Sequence, residues 1–72
     1  MKNVLIVEDL TDIRRWLAQV VQEIYPEAEI LQAGSVRMAN RLALSPVDLA
    51  LIDLGLPDGS GLDVLRTLTR EN

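Results

Sequence analysis

Val4-Leu5-Ile6-Val7-Glu8-Asp9 is the stretch on which the reading of this chain turns. Four aliphatic residues follow one another without alternation, as in a parallel strand covered on both faces. The run then ends in two acids. A second such run, Leu49-Ala50-Leu51-Ile52, ends in Asp53. Carboxylates at the end of a buried strand are costly unless they are paired, hydrated or used. If the two strands are neighbours running the same way, the three acids converge. Adjacent strands lie about 4.8 Å apart, so the carboxylates would be within reach of one ion. Clustered oxygen ligands suit Mg²⁺, which takes one or two carboxylates and keeps several waters.

Outward from these runs the pattern becomes helical. Ile13, Trp16, Leu17, Val20, Val21 and Ile24 recur at the spacing of one helix face. Thr11 reads as the cap, Asp12 as a first-turn acid and Pro26 as the stop. Trp16 lies on the apolar stripe and reads as core. Ala28–Gln32 is a short, more polar strand, placed at a sheet edge. Ser35 caps a second helix that carries Val36, Met38, Ala39, Leu42 and Ala43, with Met38 also read as core, and Pro46 ends it. Leu49–Leu54 is the third strand, and residues 55–61 form a turn-rich loop. Leu62, Leu65 and Leu68 mark a third helix. Arg14, Arg15, Arg37 and Arg41 read as solvated helix faces.

The order βαβαβα implies an α/β fold with a parallel sheet and right-handed crossovers. In a doubly wound sheet the site lies beyond the carboxyl ends of the strands, at the switch point. In the flavodoxin-like order that point falls between the first and third strands. Those are the strands that end in Glu8-Asp9 and in Asp53.

Composition narrows the function. A chain of 72 residues buries only about 60% of its unfolded surface, so its stability is marginal. With 49% apolar and 25% charged residues the balance is globular rather than disordered. The net charge of −4 argues against nucleic acid as this segment's own partner. No cysteine means no disulfide and no thiolate metal site, which is compatible with a reducing cytosol. No histidine removes the commonest general base and metal ligand. No apolar stretch approaches the roughly 18 residues that span a bilayer.

With V-L-I-V-E-D at the start and L-A-L-I-D-L-G-L-P-D-G-S-G later, the chain resembles the receiver domain of two-component response regulators. Ala33-Gly34-Ser35 and Ala39 extend the match around the second helix. The resemblance implies a flavodoxin-like receiver fold of strand order 2-1-3, with residues 1–72 supplying the first three βα units and the last two missing. It implies that Asp53 is the phosphoacceptor, a carboxylate nucleophile that forms an acyl phosphate. It further implies that Glu8 and Asp9 hold Mg²⁺ together with Asp53, and that the Gly55 backbone carbonyl is another ligand. Pro57 and Gly61 shape the loop after the nucleophile. The implied partner is a sensor histidine kinase or phosphotransfer protein, and the implied location is cytoplasmic. Many receivers carry a longer side chain at the position of Gly55, so a more open site is expected. The Ser or Thr, the Lys and the aromatic of a complete receiver belong to the missing units, so residues 1–72 are expected to be inactive or impaired in phosphotransfer.

Two other classes compete. A Mg²⁺-dependent phosphohydrolase with an Asp nucleophile usually needs a second acid two residues on, where Gly55 stands. A structural or assembly half-domain of the same fold is the other. Leu49-Ala50-Leu51-Ile52 carries no charge, proline or bulge signal to protect an open edge. Self-association as a homodimer or higher oligomer through that third strand is therefore expected.

Overall fold

The computed structural model describes residues 1–71. Its elements are β1 (Asn3–Val7), α1 (Thr11–Ile24), β2 (Glu29–Ala33), α2 (Val36–Leu42), β3 (Leu49–Ile52), β4 (Gly55–Leu56), β5 (Gly59–Ser60) and α3 (Gly61–Glu71). The first three strands form one sheet of order β2-β1-β3, and both pairings are parallel. Val4 stands opposite Ile30 on one side and Leu49 on the other; Val7 stands opposite Ala33 and Ile52. The expected doubly wound, flavodoxin-like order is therefore the observed one, with the two acid-terminated strands side by side.

β1 lacks alternation because both of its faces are covered. Val4 and Ile6 pack with Ala18 and Val21 of α1 and with Ala28. Leu5 and Val7 pack on the opposite side with Val36 and Ala39 of α2 and Val64 and Leu68 of α3. All four β1 residues are essentially inaccessible. β2 is an edge strand, as its polarity suggested.

Several details differ from the sequence reading. Trp16 is 62% exposed, not core, and Ile24 is equally exposed. α1 lies against β1 and β2 through the Ala18–Val21 face. The helical period turns Trp16 away from that face. Met38 is exposed because α2 buries Val36 and Ala39 instead. Thr11 does not cap α1. Leu10 occupies the cap position without a side-chain bond, and Thr11 is the first helical residue. β3 stops at Ile52, two residues short of the expected end, because Asp53 turns the chain. The expected loop contains a small antiparallel hairpin, β4–β5, with Pro57 and Asp58 at its tip.

α3 buries Gly61, Val64 and Leu68, while Leu62 and Leu65 are half exposed. The close approach of Gly61 to the end of β3 sets this phase. A Cβ there would run into the Asp53 carbonyl oxygen and lie 2.7 Å from Ile52 Cγ2. Only glycine lets the first turn of α3 come so near the residue that ends β3.

Candidate phosphoacceptor and metal site

Glu8, Asp9 and Asp53 meet at the carboxyl ends of β1 and β3. Each offers a carboxylate oxygen, and the three oxygens lie within 4.8 Å of one another. The sheet ladder puts them there. The Asp53 N–H donates to the Val7 carbonyl (2.9 Å), continuing the β1–β3 pairing, and the Glu8 N–H donates to the Ala33 carbonyl (3.0 Å) across to β2. Glu8 and Asp53 are half-buried and Asp9 is exposed. A cleft of about 390 Å³ opens beside them, lined by Val7, Glu8, Leu17, Leu51, Ile52 and Asp53.

The electrostatics of the cluster are unfavourable as they stand. Partial burial at the end of β1 pushes the Glu8 carboxyl above the ordinary carboxylate value. Its contacts with the Asp9 and Asp53 carboxylates push the same way, and only the Leu10 N–H opposes them. Among the described residues, no lysine or arginine pairs with any of the three acids; the ion pair found is Arg66–Asp63, on the surface of α3. A bound cation would relieve that repulsion. The donor set is all carboxylate, with no thiol or imidazole, and so fits a hard divalent ion.

Gly55 lies two residues beyond Asp53. Its N–H donates to Asp53 Oδ1 (3.2 Å), a local turn that ends β3 and steadies the carboxylate. A Cβ at Gly55 would meet nothing within 4 Å, so the site is open on that side.

Two hydrogen-bonded side chains around the site were not legible in the sequence. Arg14, read as a solvated face, is half-buried, and its Nη1 donates to the Glu8 carbonyl (2.9 Å). A Cβ on Gly34 would sit 3.1 Å from that Nη1, so the glycine makes room for the guanidinium. Asp58, read as part of a turn, accepts the Val36 N–H (2.7 Å) and the Arg37 N–H (3.1 Å) at the start of α2. Those bonds hold its carboxyl below the ordinary value. Its partners lie in a different βα unit, so no local pattern signals the contact.

The family model of the response regulator receiver domain matches residues 4–72. The chain belongs to that family. This receiver is 44% identical over 72 residues to the KDP operon transcriptional regulatory protein KdpE of Escherichia coli, covering 94% of this chain and 30% of KdpE. It is 36% identical over 72 residues to the response regulator protein PilR of Pseudomonas aeruginosa, covering 99% of this chain and 16% of PilR. The receiver thus spans less than a third of either relative. Its fold superposes with a TM-score of 0.83 on the crystal structure of the N-terminal domain of an uncharacterized protein from Wolinella succinogenes, at 32% identity, covering 97% of this chain and 56% of that one. Receiver domains of response regulators are signalling modules of two-component systems. Among the described residues no helix is long and apolar enough to cross a membrane.

Proposed function

We propose that Asp53 is the phosphoacceptor of this receiver, taking a phosphoryl group from a sensor histidine kinase or phosphotransfer protein in the cytoplasm. The observation that carries this reading is the meeting of Glu8, Asp9 and Asp53 at the ends of adjacent parallel strands. In the transfer, an Asp53 carboxylate oxygen bonds to phosphorus while the bond from phosphorus to the donor breaks. The chain's own residues hold the nucleophile. The Asp53 N–H is anchored on Val7, Gly55 binds Oδ1, and Gly61 backs the Asp53 carbonyl. Glu8, Asp9, Asp53 and the Gly55 backbone carbonyl would hold Mg²⁺. When bound, that ion offsets the charge of the carboxylates and of the incoming phosphoryl group.

Residues 1–72 correspond on this reading to the first three βα units of a receiver. The only lysine is Lys2, which precedes β1 at the end of the sheet remote from Asp53. Residues 1–72 taken alone therefore offer the phosphoryl group no lysine, and lack of one such preorganised group costs about 10²–10³ in rate. Incubation with acetyl phosphate and Mg²⁺, followed by intact-mass analysis, tests the reading. The expected result is slow addition of one phosphoryl group, absent in Asp53→Asn. Equal labelling of the variant would refute it.

The outer side of β3 carries no partner strand among the described residues. We propose that residues 1–72 pair there with a second copy of the chain.

A further inference from the structure

The loop after Asp53 is fastened at both ends. At its base the Gly61 N–H donates to the Leu54 carbonyl (2.9 Å), and the Gly55 N–H to Asp53 Oδ1. In its middle Leu56 is buried in the cluster that contains Val36 and Val64. At its tip both carboxylate oxygens of Asp58 are taken by the first two N–H groups of α2. The tip also packs on α2. Gly59 has φ +156°, and a Cβ there would meet Val36 Cγ2 at 3.3 Å. α2 itself is short, starts at Val36 and has its own cap in Ser35, whose Oγ accepts the Met38 N–H. Asp58 thus adds acceptors for the two amides that Ser35 does not reach.

We propose that Asp58 is a positioning residue that couples the Asp53 site to the first turn of α2. The hairpin between them is two residues per strand and is closed by Pro57-Asp58. A change of charge at Asp53 alters the acceptor for the Gly55 N–H. The hairpin transmits the displacement to its tip, and the Asp58 carboxylate delivers it to the Val36 and Arg37 amides. α2 therefore reports the state of Asp53 without touching the clustered acids. The inference rests on the reading of Asp53 as phosphoacceptor and names the element that senses it.

The test uses the ¹⁵N-labelled chain, with Mg²⁺ and then beryllium fluoride as a phosphoryl mimic. The Gly55 amide reads the site; the Val36 and Arg37 amides read α2; the Val21 amide on α1 is the control. In the wild type, Gly55, Val36 and Arg37 are expected to shift along one saturation curve while Val21 stays still. In Asp58→Ala the Gly55 response persists and both α2 responses are lost. Asp58→Asn, which keeps one acceptor oxygen and the shape of the turn, is expected to retain at most one of them and serves if the alanine variant fails to fold. Gly55 shifts accompanied by α2 shifts of equal size with and without Asp58 would overturn the coupling, as would Gly55 shifts with α2 silent in the wild type. No Gly55 response, together with no phosphoryl addition at Asp53, would overturn the phosphoacceptor reading and the coupling with it.

Discussion

Asp9 is the exposed member of the acidic cluster, and Glu8 and Asp53 are its half-buried members. Exposure makes Asp9 the residue that can be neutralised with least disturbance to the β1–β3 ladder. Removing one of three carboxylates takes away a ligand and part of the attraction. Even changes behind a ligand cost 10–100-fold in metal affinity, so Asp9→Asn is expected to weaken Mg²⁺ binding by about tenfold or more. Isothermal titration of both proteins measures it; equal affinities would remove Asp9 from the site. At this scale the acids were readable because each ends an apolar run, where a carboxylate has no structural reason to be. Arg14 and Asp58 were not readable. A surface arginine and a turn aspartate are ordinary in those contexts, and only the folded positions of the end of β1 and the start of α2 beside them show what they bind.

At the scale of elements, the sheet is latched at both ends. At the end remote from the site, Asp48 just before β3 accepts the N–H of Asn3 at the start of β1 (2.8 Å) and that of Lys2 just before it (2.9 Å). These bonds hold the Asp48 carboxyl below its ordinary value, with the Asn3 amide the larger cause. The unfolded chain then takes up this proton at a higher pH than the folded one. The stabilisation is fully present above the ordinary Asp value of about 3.9 and is lost as pH falls through the lowered value. Asp48→Asn should therefore lower stability near neutral pH and flatten the decline below about pH 4, measured by urea denaturation at a series of pH values. Asp58 shifts in the same direction, so some decline must remain. Near the site, α3 depends on its first residue. Gly61→Ala forces a methyl group against the Asp53 carbonyl and Ile52 Cγ2. Overpacking of this kind costs about 1–3 kcal/mol, which a shift in urea midpoint would reveal. An unchanged midpoint would mean that α3 slides away at no cost.

For the whole molecule, the open question of cover centres on β3. One side of the strand pairs with β1, and its residues are only half-buried. The cleft wall includes Leu17 of α1 and Leu51 and Ile52 of β3. An uncharged open edge beside apolar surface is a template for strand pairing. A two-fold pairing of β3 with its own copy would be antiparallel and would close the interface on itself. Light scattering over a dilution series is expected to show a concentration-dependent mass above 8.0 kDa. A particle that keeps the monomer's Cα radius of gyration of 11.1 Å at high concentration would refute self-association.

The sequence by itself determined the class of fold, the order of its three helices and of the three strands of its parallel sheet, and the identity of the converging acids. Uninterrupted aliphatic runs demand cover on both faces, and a βαβαβα order leaves few ways to provide it. Tertiary structure alone decided which side of each helix is inside. Trp16 and Met38 have the right period but lie off the faces that α1 and α2 bury, which carry Ala18 and Val21 in α1 and Val36 and Ala39 in α2. It also decided the phase of α3, through the contact of Gly61 with the end of β3, and it brought Asp58 to the start of α2. A periodic pattern records that a surface is apolar; where the surface points depends on neighbours distant in the chain, and those are fixed only when the layers close.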